Sequence, residues 1–476
     1  MLREVRLTQR DRITAALFGV ALLLTIGIAA TRAVPFPARS LLYDFRAFDC
    51  AGLVASTQAD PYRAEPLRRC EHAAGSFQAG LAKLAVPAPL PGYALVPFAA
   101  LGRLPFPLAA AFWIAFSLLG FTAAGFALGR MSHLPGRIVW TTLALSAGFL
   151  SLSLGQLVPL ALGALCVAAL ALERGRYVTA AAAAWIAMIE PHVALPALIG
   201  LAVFAPRTRI PLGIGLAIAL IASIALLGIG TNLEYLRAVL PAHAASEITN
   251  EEQYSLAYLL HGLRFPDFAA LFVANLAYLF AAGGGVYVAH RIVSRGAPRS
   301  LLVLVPAAFA VIGGPFVHVQ QMAFVLPAAL VLAGSVARGT RALGLALLLL
   351  AIPWGTSLQL LSLLPLVALA TALLAHDVLR ARPLFAAIAG LLAAAFVVVL
   401  AMGLVARPDP SAALRAVSDG RLLAEASWNA YMRTSFHSNV ALFALAKAPT
   451  LAGLALFLAV ALRAAFAQRR SGTAIA

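Results

Sequence analysis

Uninterrupted apolar runs, each about the length needed to cross a lipid bilayer, limit what this chain can fold into. Ile13–Ala30, Leu108–Leu128, Ile210–Gly230 and Leu384–Val405 contain no charged residue. A helix spanning a hydrocarbon core of about 30 Å needs about 20 such residues. Buried in lipid, every backbone N–H and C=O must be satisfied internally, so only helices or closed barrels can cross. The apolar/polar alternation of barrel strands is absent. The expected fold class is therefore an all-α polytopic membrane protein. Composition agrees: 62% of residues are hydrophobic and 11% charged, against about a quarter charged in soluble domains.

The net charge of +17 could suggest a nucleic-acid partner, but the placement of the charges argues against one. Of 35 Lys and Arg, 20 fall in short connections at residues 1–12, 130–137, 173–176, 206–209, 290–299, 338–341, 379–382 and 463–470. Only four of the 18 acidic residues lie in or just beside them: Glu4, Asp11, Glu173 and Asp377. This is the asymmetry of the positive-inside rule. The basic side is expected to be cytoplasmic, with both termini on it, in a bacterial inner membrane. The same reading gives 12 to 14 crossings. Residues 1–476 then form a single domain with long outer loops at about 31–106, 231–267 and 406–446. A protein with its polar mass outside works on the outer face. The first run reads as an uncleaved anchor rather than a signal peptide.

Cys50 and Cys70 share the first outer loop, where an oxidising compartment would allow them to pair. Two free thiols are the alternative. Cys166 lies in an apolar run and reads as a small core residue.

The first loop also concentrates chemistry. Apolar spacing over Ser40–Ser56 predicts an amphipathic helix, ended by Asp60-Pro61 because residues before proline avoid helix. Asp44 and Asp49 are five residues apart, about 140° around a helix. A paired-carboxylate site is not expected, although one of them can face a cavity. In the second loop, Leu256, Leu259, Leu260 and Leu263 form one stripe. "GGPFVHVQQMAF" places His318 at a helix start beside Gln320 and Gln321. Residues 422–437 are expected to be helical, with Trp428 and Tyr431 as interface anchors.

Several stretches carry a resemblance. "YDFRAFDCAG" with Asp44, followed by "ADPY" (Ala59–Tyr62), is similar to the first outer loop of glycosyltransferase family 87, in the GT-C superfamily. "PGYALVPFAALGRLP" (Pro91–Pro105), "SLSLGQLVPLALGAL" (Ser151–Leu165), "ALERGRYVTAAAAAWIAMIEPHVALP" (Ala171–Pro196) and "EEQYSLAYLLHGL" (Glu251–Leu263) resemble later family elements, in the same order. One departure stands out. Many relatives have lysine before the hairpin proline, where this chain has Glu190-Pro191-His192.

The resemblance implies a GT-C bundle and a membrane mannosyltransferase-like enzyme. It would move a sugar, mannose being the first candidate, from a polyprenyl-phosphate donor to an outer-face glycolipid or glycan, with inversion. Asp44 would be the general base. His318, Arg46, Gln320, Tyr62, His192, Arg264 and Arg433 are the expected substrate-binding residues. Membrane lipids are expected partners and nucleic acid is not. Relatives differ in metal use, which leaves a divalent cation open; the outer loops show no Asp-rich metal motif. The alternatives are a lipid or solute transporter or flippase, and a GT-C enzyme for another polyprenyl-linked sugar.

Overall fold

The computed structural model describes residues 42–74, 81, 83–145, 151–152, 154–335, 340–351, 409–435 and 440–466. The expected runs 13–30 and 384–405 lie outside these residues. All regular elements among the described residues are helical, with two isolated β-bridges joining loops.

In chain order the α-helices are α1 (Tyr43–Ser56), α2 (Ala64–Ala74), α3 (Gly92–Leu101), α4 (Phe106–Met131), α5 (Gly136–Leu145) and α6 (Val158–Glu173). Next come α7 (Tyr177–Ala187), α8 (Pro191–Phe204), α9 (Arg209–Glu234), α10 (Leu240–Glu247), α11 (Leu256–Gly262) and α12 (Asp267–Val293). The last are α13 (Leu301–Ala310), α14 (Val325–Ser335), α15 (Thr340–Ala351), α16 (Ser411–Ala416), α17 (Ala424–Ser435) and α18 (Val440–Phe466).

Four stretches are long and apolar enough to cross a membrane: Phe106–Met131, Pro206–Glu247, Asp267–Val293 and Lys447–Phe466. Large apolar side chains stand outward on them, such as Ile210 and Phe280, each more than three-quarters exposed. In water such a surface would be an aggregation hazard. Against lipid it is the ordinary exterior of a spanning helix.

Helices meet where side chains are smallest, as expected when lipid removes the hydrophobic drive for association. α4 packs on α6, where a Cβ on Gly163 would sit 2.3 Å from the Gly120 carbonyl oxygen. Gly163→Leu should therefore lower the thermal unfolding midpoint of detergent-solubilised protein, at a cost of about 1–3 kcal/mol or more. Gly284→Ala, where nothing lies within 4 Å of the added carbon, should leave the midpoint unchanged.

Two elements differ from expectation. The apolar run of α9 does not end at residue 230. Gly228 breaks it with φ 71° and ψ 170°. Asn232 Nδ2 bridges the break by donating to the Ser223 and Gly228 carbonyls, at 3.0 and 2.6 Å. A π-turn at Tyr235–Val239 and then α10 continue the helical path to Glu247. About half of the expected second outer loop is thus helix. α1, expected to be amphipathic, is instead sunk into the core, with Phe45, Ala47, Cys50 and Ala51 all buried. Phe45 and Phe48 pack on Phe98, and Phe45 also stacks on Trp113.

The segments around Tyr62–Ala64 and Leu422–Ala424 are clasped together. Ala64 N–H donates to the Leu422 carbonyl and Ala424 N–H to that of Tyr62, each at 2.9 Å. Arg63 reaches Asp60 at 2.8 Å, also pairs with Glu234, and donates to the Arg421 carbonyl.

Candidate functional site

Asp44 sits in the first turn of α1 and lines a cavity of about 700 Å³. Its position is set by a glycine turn. Gly155 has φ 73°, and a Cβ there would lie 2.5 Å from that of Phe45. Only glycine lets the turn press this closely onto α1. The next residue, Gln156, then donates Nε2 to Asp44 Oδ2 at 2.7 Å. Burial pushes the Asp44 carboxyl up to about 7; the Gln156 bond opposes that shift and the Glu247 charge adds to it. Such a group is ionised in an appreciable fraction near neutral pH and still basic enough to take a proton.

Asp49, 140° away by helix geometry, is buried and does not line the cavity. Burial raises its carboxyl to about 7 as well. α1 is tied to α2 by a disulfide between Cys50 and Cys70, with Cα atoms 5.6 Å apart. Cys166 is free and buried in α6.

The same cavity lining holds a cluster of imidazoles and carboxylates. Glu190 and His192 come from the turn into α8, His243 and Glu247 from α10, and His318 from the loop before the 3₁₀ turn at Val319–Phe324. Phe316 stands between His192 and His243, edge-on to both, with centroids at 5.6 and 5.3 Å. His192 Nδ1 is 3.6 Å from Glu190 Oε2, to which Gln321 Nε2 also donates at 3.3 Å.

Glu247 is 1% exposed. It accepts from Asn250 at 2.7 Å, Gln253 at 2.9 Å and the Trp428 indole at 2.5 Å. Three donors make it a buried carboxylate whose charge is well held. His243 and Glu247 are four apart on one helix and so share a face. That spacing was present in the sequence, but a loop rather than a helix was expected there.

Of the expected binding residues, His318 and His192 line the cavity. The other five do not. Arg46 is two residues from Asp44, about 200° around α1, and lies over the Phe106 ring at 5.8 Å. Tyr62 is buried and donates its hydroxyl to the Leu90 carbonyl at 2.7 Å, bracing the cavity wall. Gln320 is buried, next to but not in the lining. Arg264 is exposed at a left-handed turn, φ 65°. Arg433 pairs with Asp267 at 2.5 Å on the outer surface. Among the described residues, no lysine or arginine lines the cavity. The described residues also contain no group of three or more His, Cys, Asp and Glu able to hold a metal ion.

No family model matches the chain, and no curated protein or solved structure is significantly similar to it.

Proposed function

We propose that the chain is a membrane glycosyltransferase of the GT-C kind, using a polyprenyl-phosphate sugar and an outer-face glycolipid or glycan acceptor. The observation that carries this reading is Asp44, with its carboxyl near neutrality, lining one cavity together with three imidazoles. The acceptor hydroxyl attacks the anomeric carbon as its proton passes to Asp44. The bond from that carbon to the phosphate oxygen breaks, and the phosphate leaves with the electron pair. Attack from the opposite face inverts the centre. A base gains most when its pKa is near the working pH. Without lysine or arginine in the lining, His192, His243 and His318 are among the groups able to donate to the leaving oxygens.

The purified chain in nanodiscs, given a polyprenyl-phosphate hexose and extracted bacterial glycolipids, should form a labelled product that carries one more sugar. Failure across mannose, glucose, galactose and arabinose donors, with folded protein, would overturn the reading.

A second reading has its own support. Three carboxylates and no permanent cation line the cavity, and α7 and α8, both short, meet at buried Glu190. Broken helices meeting at a charged group are a transporter trait. Uptake of solute or lipid into sealed vesicles, without sugar transfer, would favour it.

The orientation goes with the first reading. Gln58→Cys should react with an impermeant maleimide in intact cells, and Ser294→Cys only after lysis. Both positions are exposed, and the native cysteines are bonded or buried. The reverse pattern would invert the topology.

A further inference from the structure

Gln253 lies between His318 and Glu247. Its side chain is buried, and three neighbours use all of its hydrogen-bonding atoms. The Val317 N–H donates to Gln253 Oε1 at 2.7 Å. A backbone N–H can only donate, so this bond fixes which end of the amide is oxygen. Gln253 Nε2 then has two hydrogens and two neighbours, Glu247 Oε2 at 2.9 Å and His318 Nε2 at 3.0 Å. Both must accept.

The imidazole is therefore without a proton at Nε2, although a carboxylate oxygen lies only 3.5 Å from that atom. Left alone, such a pair would draw a proton onto the ring and form an ion pair. The amide takes both acceptors and prevents this. The Gln321 N–H also approaches the ring, but its acceptor is the His318 carbonyl at 3.0 Å. A neutral ring that lacks the proton at Nε2 carries it at Nδ1, and the Gln321 N–H then keeps the His318 carbonyl as its acceptor.

The amide is itself held. Gln253 and His318 form an antiparallel bridge, with Tyr254 N–H on the Val317 carbonyl at 2.6 Å and Val319 N–H on that of Glu252 at 3.0 Å. From α18, the buried Lys447 ammonium donates to the Gln253 carbonyl at 2.5 Å and lies 3.5 Å above the Tyr258 ring. The charged and titratable groups around His318 are Glu247 and His243 on α10, His192 and Glu190 beside α8, and Lys447 on α18.

We propose that Gln253, held by Lys447, is a positioning residue that keeps His318 neutral, with its proton on Nδ1, beside the Glu247 carboxylate. The proposal rests on reading this cavity as the transfer site. There it makes His318 a neutral hydrogen-bond donor to ligand oxygen rather than a proton source.

The test needs no substrate. Protein labelled with ¹⁵N-histidine in nanodiscs reports each ring nitrogen by its shift, and His318 is assigned by its loss in His318→Asn. In the wild type, Nε2 should stay unprotonated at neutral pH and through the range in which an ordinary imidazole takes up its proton. A proton on Nε2 at neutral pH would overturn the proposal without any variant. Gln253→Glu removes the donor and adds a second carboxylate, so Nε2 should be protonated at neutral pH. An unchanged spectrum in folded Gln253→Glu would also overturn it. Lys447→Met should raise the protonation midpoint by a smaller amount, and no shift would remove Lys447 from the device. Transfer assays on the same samples separate the two readings. If wild-type protein shows the expected shifts but transfers no sugar, the functional reading fails and the proposed lock stands.

Discussion

Asp44→Asn should lower the turnover of sugar transfer about a hundred- to ten-thousand-fold, the usual effect of losing a general base. The substitution keeps the side chain's size and its acceptor oxygen for Gln156, so α1 and the cavity should be retained. Donor affinity depends on lipid and phosphate and should change little, so the loss should appear in kcat rather than KM. The wild-type rate should rise with pH through about 7, because the base must be ionised and burial lifts its carboxyl to that value. The folded chain also keeps a proton that the unfolded chain releases above about 4. Asp44's contribution to stability therefore diminishes as pH rises from about 4 to about 7. Asp49→Asn should be far milder. Asp49 carries a similar shift but faces away from the cavity. Full activity in Asp44→Asn would remove the base. Equal losses in both variants would point to a role shared along α1.

Glu247→Leu should be the most destabilising of the site substitutions. It leaves the Trp428 indole N–H and the Asn250 and Gln253 amides buried without their acceptor. Each stranded donor costs about 1–3 kcal/mol. The thermal midpoint should fall by several degrees at least, and activity should be lost. Trp428→Phe removes one donor and keeps the ring, so its cost should be a fraction of that. A wild-type midpoint in Glu247→Leu would show that the three bonds stabilise nothing.

Much of this arrangement could be read from local pattern. The spacing of Asp44 and Asp49 told that they face different ways. Two of the long apolar runs gave α4 and α9 nearly to their ends. His318 and His192, both expected among the binding residues, line the cavity. Arg46 was misplaced by proximity in sequence, although its 200° from Asp44 on the same helix was there to be counted. Glu247 was missed for a different reason. The apolar run stops at Gly230, so the residues after it read as loop, whereas the helix passes a break at Gly228 that Asn232 bridges. The Gln156–Asp44 bond and the hub at Gln253 join segments 65 to 112 residues apart. No periodicity within one segment encodes such a meeting. The missing cations follow from the same limit: charge can be counted along a chain, but its side of a helix depends on what packs there.

The clasp between the Tyr62–Ala64 and Leu422–Ala424 segments has a consequence for when the protein can first act. Glu247 needs the Trp428 indole, and the loop after Asp44 needs the carbonyl of Leu422. Chains grow at roughly 5–20 residues per second, so about 20–80 seconds separate the synthesis of Asp44 from that of Trp428. Through that interval the carboxylate is made but its cavity has no closing wall. A nascent chain released early, even with most of its helices in place, would carry the base and lack the site. On the function proposed above, activity waits until Trp428 has been made, a delay of about the same 20–80 seconds.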